Sequence, residues 1–291
     1  MIITYQTKQT IMVKKCLILV LGYTLLFTGC GSVPVTGRKQ LNLVSNSEVL
    51  TLSLQQYGEF IKSAPISTDK TNTAMVQKVG RNIANAVETY LKNNGYADQV
   101  KDYSWEFNLV KSTDVNAFCM PGGKIVVYEG ILPYTQNETG LAVVLGHEVA
   151  HAVAKHANER MSNQMATQYG TAAVGAALGG TSAVTQQVAA AALGLGAQYG
   201  ILLPYSRKQE LEADQLGLIF MAMAGYDPSA ASAFWQRMAQ NGSSTPEFMS
   251  THPSDDTRIK QIQKDLPEAL KYYKGGTSKT GSAKTSNKWS F

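Results

Sequence analysis

Residues 141–156 read L-A-V-V-L-G-H-E-V-A-H-A-V-A-K-H. A helix of this composition is apolar around most of its circumference, so it has to lie in the interior. It carries His147, Glu148 and His151 into that interior, where each polar group needs a partner. Thr135 and Glu138 fit a capping box that opens the helix ahead of this segment. The protein has four histidines, His147, His151, His156 and His252, and two of them stand here at i and i+4 on one face. Imidazoles one turn apart can share a Zn²⁺, with Glu148 close enough to act on water at the metal.

Zinc in a catalytic site takes a third protein ligand and keeps a fourth position open. A third histidine six residues after the second, with a glycine between, is excluded because Ala157 and Ala154 occupy those positions. A glutamate from a later helix is the other route, and E-L-E-A-D supplies Glu210, Glu212 and Asp214. Glu210 and Asp214 are at i and i+4 and face the same way. Glu210 can therefore bind the metal while Asp214 accepts the N–H of a ligand histidine and fixes its tautomer. Glu212 points to another side, and His156 reads as structural or solvated.

Elsewhere the pattern is mainly helical. Ser45 and Glu48 form a capping box before a helix, and Val76, Val79, Ile83 and Val87 line one face of a second helix over 73–91, closed by N-N-G-Y. S-W-E-F-N-L-V and K-I-V-V-Y read as strands, and Asp227–Pro228 opens a later helix. Strands grouped together among more numerous helices point to an α+β fold. At 44% hydrophobic the chain can bury a proper core, which excludes a disordered chain.

Lys and Arg number 26 against 21 Asp and Glu, a formal +5. The excess sits at the ends: residues 1–29 hold Lys8, Lys14 and Lys15, and residues 274–291 hold four lysines, with no acid in either segment. The body is slightly acidic, so the charge gives no reason to expect a nucleic-acid partner. Lys14 and Lys15, the apolar run Cys16–Phe27, then Thr28, Gly29 and Cys30 form a short secretory-type signal. Residues 1–29 read as a signal peptide, 30–273 as a single domain and 274–291 as a flexible tail. If Cys30 is acylated, Cys119 has no internal disulfide partner. Residues 161–206 hold no charge before Arg207, and they read as helices that cover the site or touch a lipid surface.

H-E-V-A-H-A-V-A-K-H, then S-R-K-Q-E-L-E-A-D-Q-L-G, then T-H-P-S-D-D-T-R-I resemble the zinc endopeptidase family of the CAAX prenyl endopeptidase and HtpX type. In form they look most like its periplasmic lipoprotein branch, the BepA and LoiP type. L-L-F-T-G-C likewise resembles a bacterial lipoprotein signal, with Cys30 as the lipidated residue. The resemblance implies an α+β gluzincin fold, one Zn²⁺ per chain held by His147, His151 and Glu210, and Glu148 as general base. It also implies that His252 can approach the metal and that Arg258 lies near the site, both candidates to meet an oxyanion. V-N-A-F-C-M-P-G-G-K-I-V-V-Y looks like the family's active-site edge strand. Lys124, Ile125 and Val126 would then pair with an extended substrate, with Asn116 and Ala117 at the entrance.

The expectation is a zinc endopeptidase acting on unfolded or misassembled proteins, with a zinc-containing chaperone or assembly factor as the alternative. Its expected place is the bacterial cell envelope, lipid-anchored through Cys30 at the outer membrane and facing the periplasm, with the outer-membrane assembly machinery as a candidate partner.

Overall fold

The computed structural model describes residues 30–177, 203–240, 247–252 and 256–275. The signal-like segment 1–29, residues 178–202 of the uncharged stretch and the tail from 276 lie outside the described residues. The chain divides into two compact units, each made of two segments: 1–60 with 151–210, and 61–150 with 211–291. The divisions fall inside continuous helices.

The first unit begins with a hairpin of β1 (Cys30–Ser32) and β2 (Lys39–Leu41), paired antiparallel. Helix α1 (Asn46–Ser63) follows. Its capping box is as expected: Ser45 N donates to Glu48 Oε2 at 3.1 Å and Glu48 N to Ser45 Oγ at 3.2 Å.

In the second unit α2 (Lys70–Asn93) starts at Asp69, whose side chain accepts from Asn72 N, and buries Val76, Val79, Ile83 and Val87 completely. It closes on Gly95 at φ 84°, with Tyr96 N donating to Leu91 O at 2.9 Å, so the N-N-G-Y segment forms a helix-ending Schellman turn. The short helix α3 (Ala97–Val100) leads to β3 (Glu106–Val110), then β4 (Ala117–Met120) and β5 (Lys124–Tyr128).

The sheet order is β3-β5-β4, with β3 and β5 parallel and β4 and β5 antiparallel. This corrects the expected substrate strand: Lys124, Ile125 and Val126 belong to the central strand and are paired on both sides. The cause is visible in the residues, because Ile125, Val126 and Val127 are all 0% exposed and so are covered on both faces. Lys124 bends its amine to Ser104 O at 2.6 Å and to Glu106 Oε1 at 2.5 Å. The edges of this sheet are β3 and β4, and β4 starts at Ala117.

Helix α4 (Leu132–Thr135) precedes α5 (Glu138–Val153). Thr135 is the last residue of α4, and the side chain that caps α5 is Asn137, whose Oδ1 accepts from Gly140 N at 3.0 Å. The expected box of Thr135 with Glu138 is therefore replaced by an asparagine cap. Helix α5 stops at Val153, Lys155 takes φ 54°, and α6 (His156–Ala177) starts in a new direction.

Helix α7 (Leu203–Met223) carries the acidic segment. Helices α8 (Ala230–Ala239), α9 (Glu247–Thr251) and α10 (Asp256–Leu270) complete the second unit. No described helix is long and apolar enough to cross a membrane.

Helices α5 and α7 touch at two glycines. A Cβ on Gly146 would lie 2.8 Å from Gly217 O, and one on Gly217 would lie 2.9 Å from His147 N. This backbone contact brings α7 against the residue next to His147. Gly217→Ala should lower stability by about 1–3 kcal/mol through overpacking, against roughly 1 kcal/mol of helix propensity gained. A lower melting temperature with weaker zinc retention is the expected result.

Candidate metal centre

Helix α5 presents His147 and His151 one turn apart, and both are buried, at 2% and 6% exposure. Within the second unit, His147 Nδ1 lies 2.9 Å from Asp214 Oδ1. A carboxylate there assigns the proton to Nδ1 and leaves the Nε2 lone pair for a metal. Within the first unit, His151 Nε2 lies 3.4 Å from Glu210 Oε1, and its Nδ1 meets His156 Nδ1 at 2.8 Å. His252 Nδ1 approaches His147 Nε2 at 3.1 Å. His147, His151, Glu210 and His252 are side chains that could hold a metal ion.

His156 is 0% exposed, so the solvated reading of it is overturned. On an unbroken helix a residue five positions on would face well away from His151. The turn at Lys155 brings it back, and its signal in the sequence was hidden by treating the segment as one helix.

Asp214 sits where the i, i+4 pairing with Glu210 places it. Burial alone would raise its pKa, but the Arg258 guanidinium and His147 outweigh that and hold the carboxyl below its usual range. Arg258 is itself buried at 2% exposure. Its Nε donates to Asp214 Oδ2 at 2.6 Å, its Nη2 to Asp214 Oδ1 at 2.8 Å and its Nη1 to His252 O at 3.1 Å. The guanidinium also stacks 3.6 Å from the Trp235 ring centroid. Arg258 Nη2 also lies 3.2 Å from His147 Nδ1, so the guanidinium clamps Asp214 and the His252 backbone beside the His147 ring, a part beyond the expected oxyanion role. Trp235 was missed from the sequence, where a lone tryptophan on an amphipathic helix reads as core. It lies edge-on to His147 at 5.6 Å and stacks on Phe248 at 5.7 Å, and Phe248 in turn packs on His252 at 4.8 Å.

Glu148 is 3% exposed, and its Oε1 accepts no hydrogen bond among the described residues. The group facing it is His252 Nε2 at 3.3 Å. Cys119 of β4 is close enough that burial, and after it the Glu148 charge, push its thiol pKa well above the ordinary value. Cys119 of the edge strand β4 is thus within electrostatic reach of the Glu148 carboxylate. Asn116 precedes that strand, its Oδ1 accepting from Ala117 N at 2.8 Å.

Two buried imidazoles, the buried Glu210 carboxylate and the Glu148 oxygen that accepts no hydrogen bond among the described residues are a donor set whose chemistry fits a zinc ion.

Comparison with known proteins agrees with this geometry. The model of peptidase family M48 matches residues 74–266. The mitochondrial metalloendopeptidase OMA1 of Schizosaccharomyces pombe is 35% identical over 84% of this chain and 68% of its own length. The human mitochondrial metalloendopeptidase OMA1 is 30% identical over 84% of this chain and 47% of its own. The beta-barrel assembly-enhancing protease of Yersinia pestis is 30% identical over 74% of this chain and 45% of its own. The chain thus spans less than half the length of the last two. These relatives overturn the expected location at the outer membrane of a bacterial envelope, because those matched over 84% of the chain are mitochondrial enzymes. With the HEVAH helix, the later glutamate and the family match over 74–266 in agreement, the chain belongs to peptidase family M48 and is a zinc metalloendopeptidase.

Proposed function

We propose that this endopeptidase cleaves protein chains that have lost their native packing, and that it takes them as extended segments against β4. The observation that carries the reading is the Glu148 carboxylate, buried with an oxygen that accepts no hydrogen bond among the described residues, and its charge reaches Cys119 of the edge strand β4. An edge strand recognises a substrate through its backbone, so affinity demands little of the side chains but requires an unfolded segment. A general base has no use in a protein that only holds clients, which favours hydrolysis over a chaperone role.

His147, His151 and Glu210 would hold the zinc, which when bound supplies a Lewis acid for the scissile carbonyl and acidifies water. Glu148 Oε1 accepts the proton and returns it to the departing amide nitrogen. Asp214 keeps the His147 proton on Nδ1, and Arg258 keeps Asp214 ionised and in place. His252, through its Nε2, is the group placed to donate to the oxyanion.

The test is cleavage of an unfolded protein by the purified chain, abolished by a chelator and restored by zinc. A peptide N-methylated along the segment that lies on β4 should lose most of its binding. Permuting side chains in the same segment should change binding much less. Equal binding of the methylated and plain peptides would rule out strand pairing.

A further inference from the structure

Within the unit formed by 1–60 and 151–210, one face of α6 holds three anchors in successive turns. His156 meets His151. Glu159, 0% exposed, receives Arg38 Nη1 on Oε1 at 2.7 Å and Arg38 Nη2 on Oε2 at 2.8 Å. Its Oε2 also accepts from Gln209 Nε2 at 2.7 Å. Ser162 Oγ accepts from Leu43 N at 2.8 Å and donates to Asn158 O at 2.7 Å. Arg38 stands immediately before β2, and Gln209 immediately before Glu210.

We propose that Arg38 is a positioning residue for the zinc ligands, acting through Glu159 and Gln209 on Glu210. This rests on reading His151 and Glu210 as ligands. A carboxylate with no exposure is costly to bury unless both oxygens are paired. Arg38 supplies that pairing as a two-pronged fork, which fixes the plane of the Glu159 carboxylate. The same carboxylate receives the Gln209 amide, and Gln209 is 0% exposed and shares its turn of α7 with Glu210. The rotation of α7 about its own axis at the ligand is thereby held from the N-terminal hairpin. His156 and Glu159 are at i, i+3 on α6, so the same helix face steadies His151 and, through Gln209, Glu210. The hairpin is then part of the machinery that holds the metal, and more than a spacer ahead of α1.

The experiment uses the full chain as wild type, Arg38→Ala, Arg38→Lys and Gln209→Met, with Lys78→Ala as control because Lys78 makes only an exposed pair with Glu138 at 2.7 Å. Zinc affinity is read by competition with a chromogenic chelator, and ligand geometry by the visible spectrum of the cobalt-substituted protein. Arg38→Ala and Gln209→Met should each weaken zinc binding about 10–100-fold and shift the cobalt bands. Arg38→Lys should recover part of the loss, since it keeps the charge and loses the fork. Lys78→Ala should match wild type.

Wild-type affinity and an unchanged cobalt spectrum in Arg38→Ala and Gln209→Met would overturn the proposal while leaving the zinc site intact. If Arg38→Ala does not fold, Gln209→Met decides alone, and unchanged binding in it overturns the proposal. A wild-type chain that binds no zinc overturns the ligand reading and the proposal together.

Discussion

Glu210→Gln should leave a folded protein that no longer retains zinc and no longer cleaves. The substitution keeps the shape of the side chain and removes the one anionic charge in a set otherwise made of neutral imidazoles. Loss of an outer partner of a metal ligand costs about 10–100-fold in affinity, and loss of a charged ligand should exceed that. Glu210 lies at the His151 edge with 5% exposure, so solvent does not replace the lost charge. Metal analysis after dialysis, with circular dichroism as the folding control, reads the result. Retention of zinc at wild-type affinity would remove Glu210 from the ligand set.

Asp214→Ala should be the most destabilising single change in the site. Asp214 takes two hydrogen bonds from Arg258 and faces the His147 ring, all at 4% exposure or less. Without it the Arg258 guanidinium is left buried without its anion, which costs about 3–5 kcal/mol. In a chain of this size that corresponds to a melting temperature lower by on the order of 10 °C. The histidine also loses the group that fixes its tautomer, so zinc binding falls with stability. Removing both charges, as Asp214→Leu with Arg258→Met, should recover much of the stability and none of the zinc affinity. Recovery of both would mean that Asp214 serves packing alone.

The pH dependence follows with a definite sign. The folded pKa of Asp214 is depressed, so its contribution is present above the unfolded value of roughly 4 and is lost as pH falls through the lower folded value.

What could be read from the sequence was the chemistry held on single helices. The spacings His147 to His151 and Glu210 to Asp214 are properties of 3.6 residues per turn, and they survive any tertiary arrangement of those helices. The buried face of α2 and the Ser45–Glu48 box are equally local. What depends on long-range packing was not legible. K-I-V-V-Y reads the same as an edge or a central strand until β3 and β4 are placed on either side of it, which leaves those two strands as the edges of the sheet. Arg258 was recognisable as close to the site, yet its role depended on whether Asp214 or open space faced its guanidinium. The break after Val153 has no proline or glycine to announce it, since Lys155 takes the positive φ. Gly146 and Gly217 carry no pattern of their own, and only the crossing of α5 and α7 shows why neither bears a Cβ.

The most direct measurement compares wild type with Glu148→Gln for bound zinc and for cleavage of an unfolded protein. Glu148 is not one of the proposed ligands, and glutamine fills the same 3%-exposed position without accepting a proton. The expected result is equal zinc in both proteins with cleavage lowered by about 10²–10⁴-fold in the variant, the range a general base contributes. Equal cleavage by the two proteins would contradict hydrolysis by Glu148 at this centre.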